Sequence, residues 1–434
     1  MVVERLEDSF LKENSTKAAP AAGPEYRPRT ISEVGVREAV LEDIALKTLY
    51  ASGPFSIIEL SKHTHLGFEV ANDLFSHLRA KLLCEVVGMT SNVPQIAITS
   101  HGRARALELL QQNQYWGAAP VSLASYVEMV RKQSVRNVVV RPSDLESAFA
   151  HLVVDPKTLA QFGTALNSGA PIFLYGPPGV GKTATAETFS RVLAKDEVWI
   201  PYAIEVDGQI ISVFDPVIHR PAVDPGPENR DARWVRCHRP TVLVGGELTV
   251  EMLDLQYNPS TKFYMGPMQM KANNGILIID DLGRQRIRPE ELLNRWVVPL
   301  DRRIEFLTMA GGRKIEIPFE MLVVFASNRD PLELMDPAFL RRIQTKIRIG
   351  ASSADQFRKI FYRVAADLDL EVDNAVLDEL IDFIQGTLKQ ELLACQPRDL
   401  VSQVCWSARY EGREAKLERE ALMRAAESYF VVKS

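Results

Sequence analysis

One stretch limits the folds open to this chain more than any other: PIFLYGPPGVGKTATAETFSRVL, beginning at Pro171. An apolar, strand-like run feeds Gly176-Pro177-Pro178-Gly179-Val180-Gly181-Lys182-Thr183, and helix-period spacing follows from Ala184. The octet satisfies GxxxxGK[ST]. Its glycines let the backbone wrap closely around a phosphate with N–H groups turned inward, and the start of the helix adds its positive dipole end. Lys182 is placed to reach the terminal phosphates, and the Thr183 hydroxyl to ligate Mg²⁺. Such a turn joins a buried parallel strand to the helix covering it, so residues 151–350, where apolar strands alternate with helical stretches, are expected to form an α/β sheet.

A second apolar run, GILIIDDLGRQR at 275–286, ends in Asp280 and Asp281. Paired carboxylates at a strand's end suit a polyvalent cation. The run reads as the second strand of the sheet, with Asp280 holding Mg²⁺ through water and Asp281 beside it. A third run, MLVVFASNRD, ends in Asn328.

Outside this core, residues 1–33 are polar and then rich in Ala, Pro and Gly, and read as a disordered tail. Residues 34–112 show helical spacing in VREAVLEDIALKTLY, SIIELSKHTHL and EVANDLFSHLRAKLL, then the strand-like CEVVGM and QIAITS, then the helical HGRARALELLQQ. This order, and the ITSHGRARA close, resembles a winged helix-turn-helix. Charges over residues 40–112 nearly balance: Lys47, Lys62, Arg79, Lys81, Arg103 and Arg105 against Glu42, Asp43, Glu59, Glu69, Asp73, Glu85 and Glu108. DNA readers need a basic face, so protein docking is the favoured role. Residues 113–150 read as a linker and amphipathic helices, and 351–434 as a helical domain.

In combination, residues 140–430 resemble the AAA+ ATPases, in the manner of the MoxR-type members. The resemblance implies a P-loop NTPase parallel sheet flanked by helices, followed by an α-helical lid and preceded here by the small winged-helix-like domain. It implies ATP and Mg²⁺ as cofactors, with Gly176 through Ala184 around the nucleotide and Thr183 and Asp280 at the metal. Asp281 becomes the acid that polarises water, and Asn328 the residue that orients it. In DPAFLRRIQTKIRI, Arg341 or Arg342 becomes the arginine reaching a neighbouring subunit's γ-phosphate, and in CQPRDLVSQV Arg398 contacts nucleotide across the lid. The family places Glu where this chain has Asp281. An arm one methylene shorter leaves real but modest turnover as the expectation.

The resemblance further implies a homo-oligomer, a hexameric ring being one such form, that remodels or assembles a protein partner. A DNA-associated loader or regulator, and a nucleotide-gated scaffold with little hydrolysis, are the alternatives. The cluster Tyr257, Phe263, Tyr264, Met265 and Met268 is either a pore loop gripping polypeptide or packing beneath a long loop. The arginines at 284, 286, 288, 295, 302 and 303 either line an interface or are solvated. His219, Cys237 and His238 make no metal spacing and read as scattered surface residues. With a net charge of −5, no run near the roughly 20 apolar residues of a membrane span, no signal-like apolar stretch at the start and no CxxC pair, a cytoplasmic protein with reduced thiols is expected.

Overall fold

The computed structural model describes residues 24–90, 93–193, 196–223 and 229–430. Its centre is a parallel sheet of five strands, labelled in chain order β1 (Ile172–Tyr175), β2 (Thr241–Val244), β3 (Ile276–Ile279), β4 (Leu322–Ser327) and β5 (Thr345–Arg348). Across the sheet they run β2-β3-β4-β1-β5. The apolar run ending in Asp280 is therefore the third strand in chain order, not the second, because the short TVLV strand β2 precedes it. Nor does it touch the phosphate-loop strand: β4 lies between them, pairing Ile279 with Phe325 on one side and Ser327 with Tyr175 on the other.

Alternation along these strands builds two cores. Phe173, Leu277, Ile279, Val323 and Phe325 pack on one face around Trp296 and Phe319. Ile172, Leu174, Ile276, Ile278 and Val324 pack on the other against Phe162 and Phe189. The C-terminal part is helical, with helices Ala354–Asp367, Asn374–Asp382, Gln396–Tyr410 and Arg419–Tyr429 around Phe357, Phe361 and Leu400.

Between the phosphate loop and β3 the chain builds a second sheet. It takes in Gln209–Ser212, Ala203–Val206, Tyr264–Met265 and, from the stretch read as linker, Val121–Ser122. Part of the aromatic cluster belongs to this packing, while Tyr257 and Met265 stay exposed. Tyr264 is buried, Tyr257 lies 5.1 Å from it ring to ring, and Phe263 packs edge-on against Tyr115. His219 and Cys237 are not surface residues either, being fully buried. His219 is held between the Asp215 N–H and the Lys271 carbonyl, each at 2.8 Å.

Residues 38–112 form helices Glu38–Ser52, Ile57–Thr64 and Phe68–Ala80, strands Phe55–Ser56, Cys84–Thr90 and Val93–Ile98, and helix Ser100–Gln112. This unit packs on the second sheet, Ile44 lying against Ala203 and Ile210, and the segments on either side of it are held by a buried ion pair. Arg233 and Asp231, both 1% exposed, pair at 2.7 Å, and Arg233 also donates to the carbonyls of Val34 and Pro120. Of the expected tail, residues 1–23 lie outside the described residues. Residues 24–33 are tied down: the Pro24 carbonyl accepts from Asp231 N–H, and Arg27 donates to the Leu66 carbonyl. Those partners are remote backbone groups, so local composition gives no sign of them.

A hairpin of Ile304–Thr308 and Lys314–Pro318 follows β3. Within it Glu305 is 3% exposed, and its Oε2, like Oε1 of the fully buried Gln269, has no hydrogen-bond partner among the described residues. Burial pushes the Glu305 carboxyl up to about 7. Arg295 opposes this from 3.7 Å but also pairs with Asp254 at 3.2 Å, and desolvation outweighs it. A carboxyl raised in the folded state contributes stability that is complete below its unfolded value of 4.5 and is lost as pH rises through 7. Glu305→Gln should therefore gain stability over the parent by up to about 3 kcal/mol between pH 4.5 and pH 8, read as a melting-temperature difference that widens with pH. A constant difference would count against a protonated Glu305.

Candidate functional site

The phosphate loop leaves the end of β1 and turns on glycines that no other residue replaces. Gly176 has φ +146°, and a Cβ there would lie 2.0 Å from the Ile349 carbonyl oxygen. Gly179 has φ +80°, and a Cβ would meet Cys395 Sγ at 2.6 Å. The helix Lys182–Leu193 starts directly behind the loop, with Ala184 half-buried in its first turn.

Lys182 is 6% exposed. Its ammonium donates to the carbonyls of Gly176 (3.0 Å) and Pro177 (2.8 Å) and to Asn328 Oδ1 (2.6 Å). All three are uncharged, and no carboxylate pairs with it among the described residues. Burial lowers its pKa, while the charges of Asp280 and Asp281 partly restore it. A buried ammonium hydrogen-bonded to neutral oxygens, with no carboxylate in direct contact, is an electrostatic arrangement suited to an anion.

The neighbouring strands bring the acids to it. Thr183 Oγ1 donates to Asp280 Oδ2 at 2.7 Å, so a hydroxyl and a carboxylate converge as the oxygen donors a hard cation such as Mg²⁺ takes. Asn328, just past β4, uses both ends of its amide: Oδ1 accepts from Lys182, and Nδ2 donates to Asp281 Oδ1 at 2.9 Å. Lysine, amide and acid thus form one line across three strands.

Asp281 itself has φ +50°, in the left-handed region. Two residues that sequence reading missed hold the turn. Gln285 donates to the Asp280 carbonyl and accepts from Gly283 N–H, and Ser327 donates to the Leu282 carbonyl. Aspartate enters this backbone region more readily than glutamate, which gives a backbone reason for Asp over Glu here.

The helical part closes on the loop from above. Cys395 N–H donates to the Gly179 carbonyl at 3.0 Å. Arg398, one turn into the same helix, is exposed, with Asp399 at 3.9 Å. A cavity of about 260 Å³ opens beside Gly181 and Thr185, with apolar walls from Val153, Val180, Ile349 and Ile360 and polar edges from Asp155 and Ser352. None of 151–155 or 349–360 carries a short motif that sequence reading could have used.

Arg341 and Arg342 are not part of this cluster. They line a cleft with Ala170 and Pro171, at the opposite end of β1 from the loop. Arg342 donates to Asp301 (2.8 Å) and to the Ala338 carbonyl (2.8 Å). The exposed Arg341 side chain has no hydrogen-bond or ion-pair partner among the described residues. Of the arginines after β3, Arg288 pairs with Glu291, Arg295 with Asp254, and Arg303 donates to backbone carbonyls.

The parallel sheet with a glycine loop after its first strand, lysine and threonine opening the next helix, and an acid at the end of β3 decides the architecture. The core is a P-loop NTPase fold. Residues 353–428 match a domain of unknown function, DUF8689. No curated protein matches the chain. Similar solved structures include NtrX from Brucella abortus in complex with ADP (13% identity, TM-score 0.39, covering 64% of this chain and 56% of that one). The Thermotoga maritima RuvB Holliday junction branch migration motor aligns with 14% identity and a TM-score of 0.37 over 63% of this chain and 69% of that one. Domain III of the Thermotoga maritima replication initiation protein DnaA aligns with 14% identity and a TM-score of 0.37 over 68% of this chain and 100% of that one. This chain thus spans little more than half of NtrX. At these scores the likeness is loose, and the fold assignment rests on the sheet and the loop themselves.

If the left-handed turn selects aspartate, Asp281→Glu should lower folding stability by on the order of 1 kcal/mol, measured by the denaturant midpoint, while Asp281→Asn leaves it nearly unchanged. Equal midpoints for all three would remove the backbone explanation.

Proposed function

We propose that this chain is an AAA+-type ATPase that binds ATP with Mg²⁺, hydrolyses it at sites completed between copies of itself, and uses the cycle to remodel or assemble a protein partner. The observation that carries the reading is the buried Lys182 ammonium, whose hydrogen-bond acceptors among the described residues are all neutral oxygens. The backbone N–H groups of residues 176–184 and Lys182 would hold the β- and γ-phosphates. Thr183 and Asp280 would hold Mg²⁺, which when bound neutralises charge on the phosphate oxygens. Asp281, aimed by the Asn328 amide, accepts the proton of the attacking water. Arg341 is the cation offered to a neighbouring copy, because Arg342 is already engaged with Asp301. Arg398, on the helix that abuts Gly179, is placed to meet nucleotide across the lid.

The unit at 38–112 fits a winged-helix reading, and its surface favours protein over DNA. The exposed face of helix Phe68–Ala80 mixes Glu69 and Asp73 with Arg79, and the strand Cys84–Thr90 exposes Val86, Val87 and Met89. Apolar patches of this kind mark contact with protein rather than phosphate backbone. Among the described residues, no helix is long and apolar enough to cross a membrane.

Lys182→Ala should abolish binding of a fluorescent ATP analogue. Arg341→Ala should bind it normally yet hydrolyse ATP at least ~100-fold more slowly, with Arg342→Ala much less affected. A parent rate no higher than that of Lys182→Ala would instead leave a nucleotide-gated scaffold. Duplex DNA binding should be weak, without a steep dependence on salt; a slope of several counterions in a titration from 50 to 200 mM would favour the DNA-associated alternative.

A further inference from the structure

The cleft at the foot of β1 holds more positive charge than one trans-acting arginine requires. It has a volume of about 430 Å³ and is lined by Arg136, Arg303, Arg341 and Arg342, with Asp301 as the only carboxylate among its described lining residues. That carboxylate is taken by Arg342 at 2.8 Å. Arg303 is held on the carbonyls of Gly169 (2.5 Å) and Met321 (3.3 Å). Burial, and then the charge of Arg136, push its pKa down. Arg136 and Arg341 are both exposed, and neither side chain has a hydrogen-bond or ion-pair partner among the described residues.

Arg136 is nonetheless not a loosely solvated side chain. Its stem lies over the end of the helix Pro156–Ser168, where Gly169 closes the helix at φ +57°. A Cβ on Gly169 would come within 2.6 Å of Arg136 Cγ, so the glycine makes room for the arginine to lie there. Glu320 opposes the effect of Arg136 on Arg303, but four guanidinium groups still outnumber the two carboxylates near them; they repel one another, and an anion relieves that repulsion. Arginine's fork suits phosphate oxygens in particular.

The anion cannot be held by this copy's own loop. Ala170 and Pro171 precede β1 and the loop follows it, so about 13 Å of strand separates the cleft from Gly176. Resting on the ATPase reading above, we propose that Arg136 is a second trans-acting cation, presented together with Arg341 to the phosphates of the nucleotide held by an adjoining copy of the chain. The segment 133–141 before the core would then form part of the catalytic interface.

The test uses the full chain and subunit mixing. Arg136→Ala should bind a fluorescent ATP analogue and assemble, by light scattering, as the parent does, while hydrolysing ATP at least about tenfold more slowly. Arg136→Lys should recover part of the rate, which a purely structural role of the stem would not distinguish from Arg136→Met. Mixing Arg136→Ala with Lys182→Ala should give more hydrolysis than the two alone, because the second supplies the arginine and the first the intact loop. Parent-like hydrolysis by Arg136→Ala, or no gain on mixing while Arg341→Ala does gain, overturns the proposal and leaves the ATPase reading standing. Parent-like hydrolysis by both arginine variants, at a specific rate independent of protein concentration, overturns both. Binding of an acidic peptide in place of any effect on hydrolysis also overturns it.

Discussion

A buried ammonium beside uncharged oxygens is the constraint around which the rest of this molecule is arranged. Desolvating a lysine is expensive, and the usual remedy is a carboxylate within ion-pair distance. Here Asp280 and Asp281 are near enough to oppose the effect of burial on Lys182, yet each is engaged elsewhere, one with Thr183 and the other with Asn328. The strand order produces this separation. Because β4 stands between β1 and β3, an amide rather than an acid lies next to the lysine, and the amide transmits the lysine's position to Asp281.

The N-terminal unit is not a tethered accessory. The Arg233–Asp231 pair is fully buried and reaches backbone carbonyls before the first long helix and just ahead of the Val121–Ser122 strand. Arg37 adds contacts to Glu205 and Asp207, and His65 to the Ala232 carbonyl. Breaking one side of a buried pair leaves an uncompensated charge, typically a loss of about 3–5 kcal/mol. The unit thus shares hydrogen bonds, ion pairs and a small apolar core with the second sheet and its flanking strands.

What the sequence made legible follows from what its local chemistry demands. The glycine turn is readable because φ values of +80° and +146° and a 2.0 Å approach to backbone admit no side chain. The strands β3 and β4 are readable because both their faces are buried, so they appear as unbroken apolar runs. Less visible was β2, four residues behind a Pro- and Arg-rich stretch, so the order of strands was misjudged by one. The second sheet was missed altogether. Its strands are short and paired with partners far along the chain, and one of them, Val121–Ser122, was hidden in apparent linker. The same limit applies to His219 and to residues 24–33, whose burial depends on remote backbone groups. Nothing local separates Arg341 from Arg342; the separation comes from Asp301, 41 residues upstream of Arg342 on another helix. Likewise Asp281 looked like a weakened glutamate until the left-handed backbone supplied a reason for it.

The contact between Cys395 and Gly179 carries a mechanical implication. The helix that overhangs the loop is hydrogen-bonded to the loop's own backbone, with sulfur filling the space a side chain on Gly179 would need. Any displacement of that helix start away from the turn breaks this hydrogen bond and uncovers Gly179, so the position of the overhang and the shape of the turn are coupled through one backbone contact.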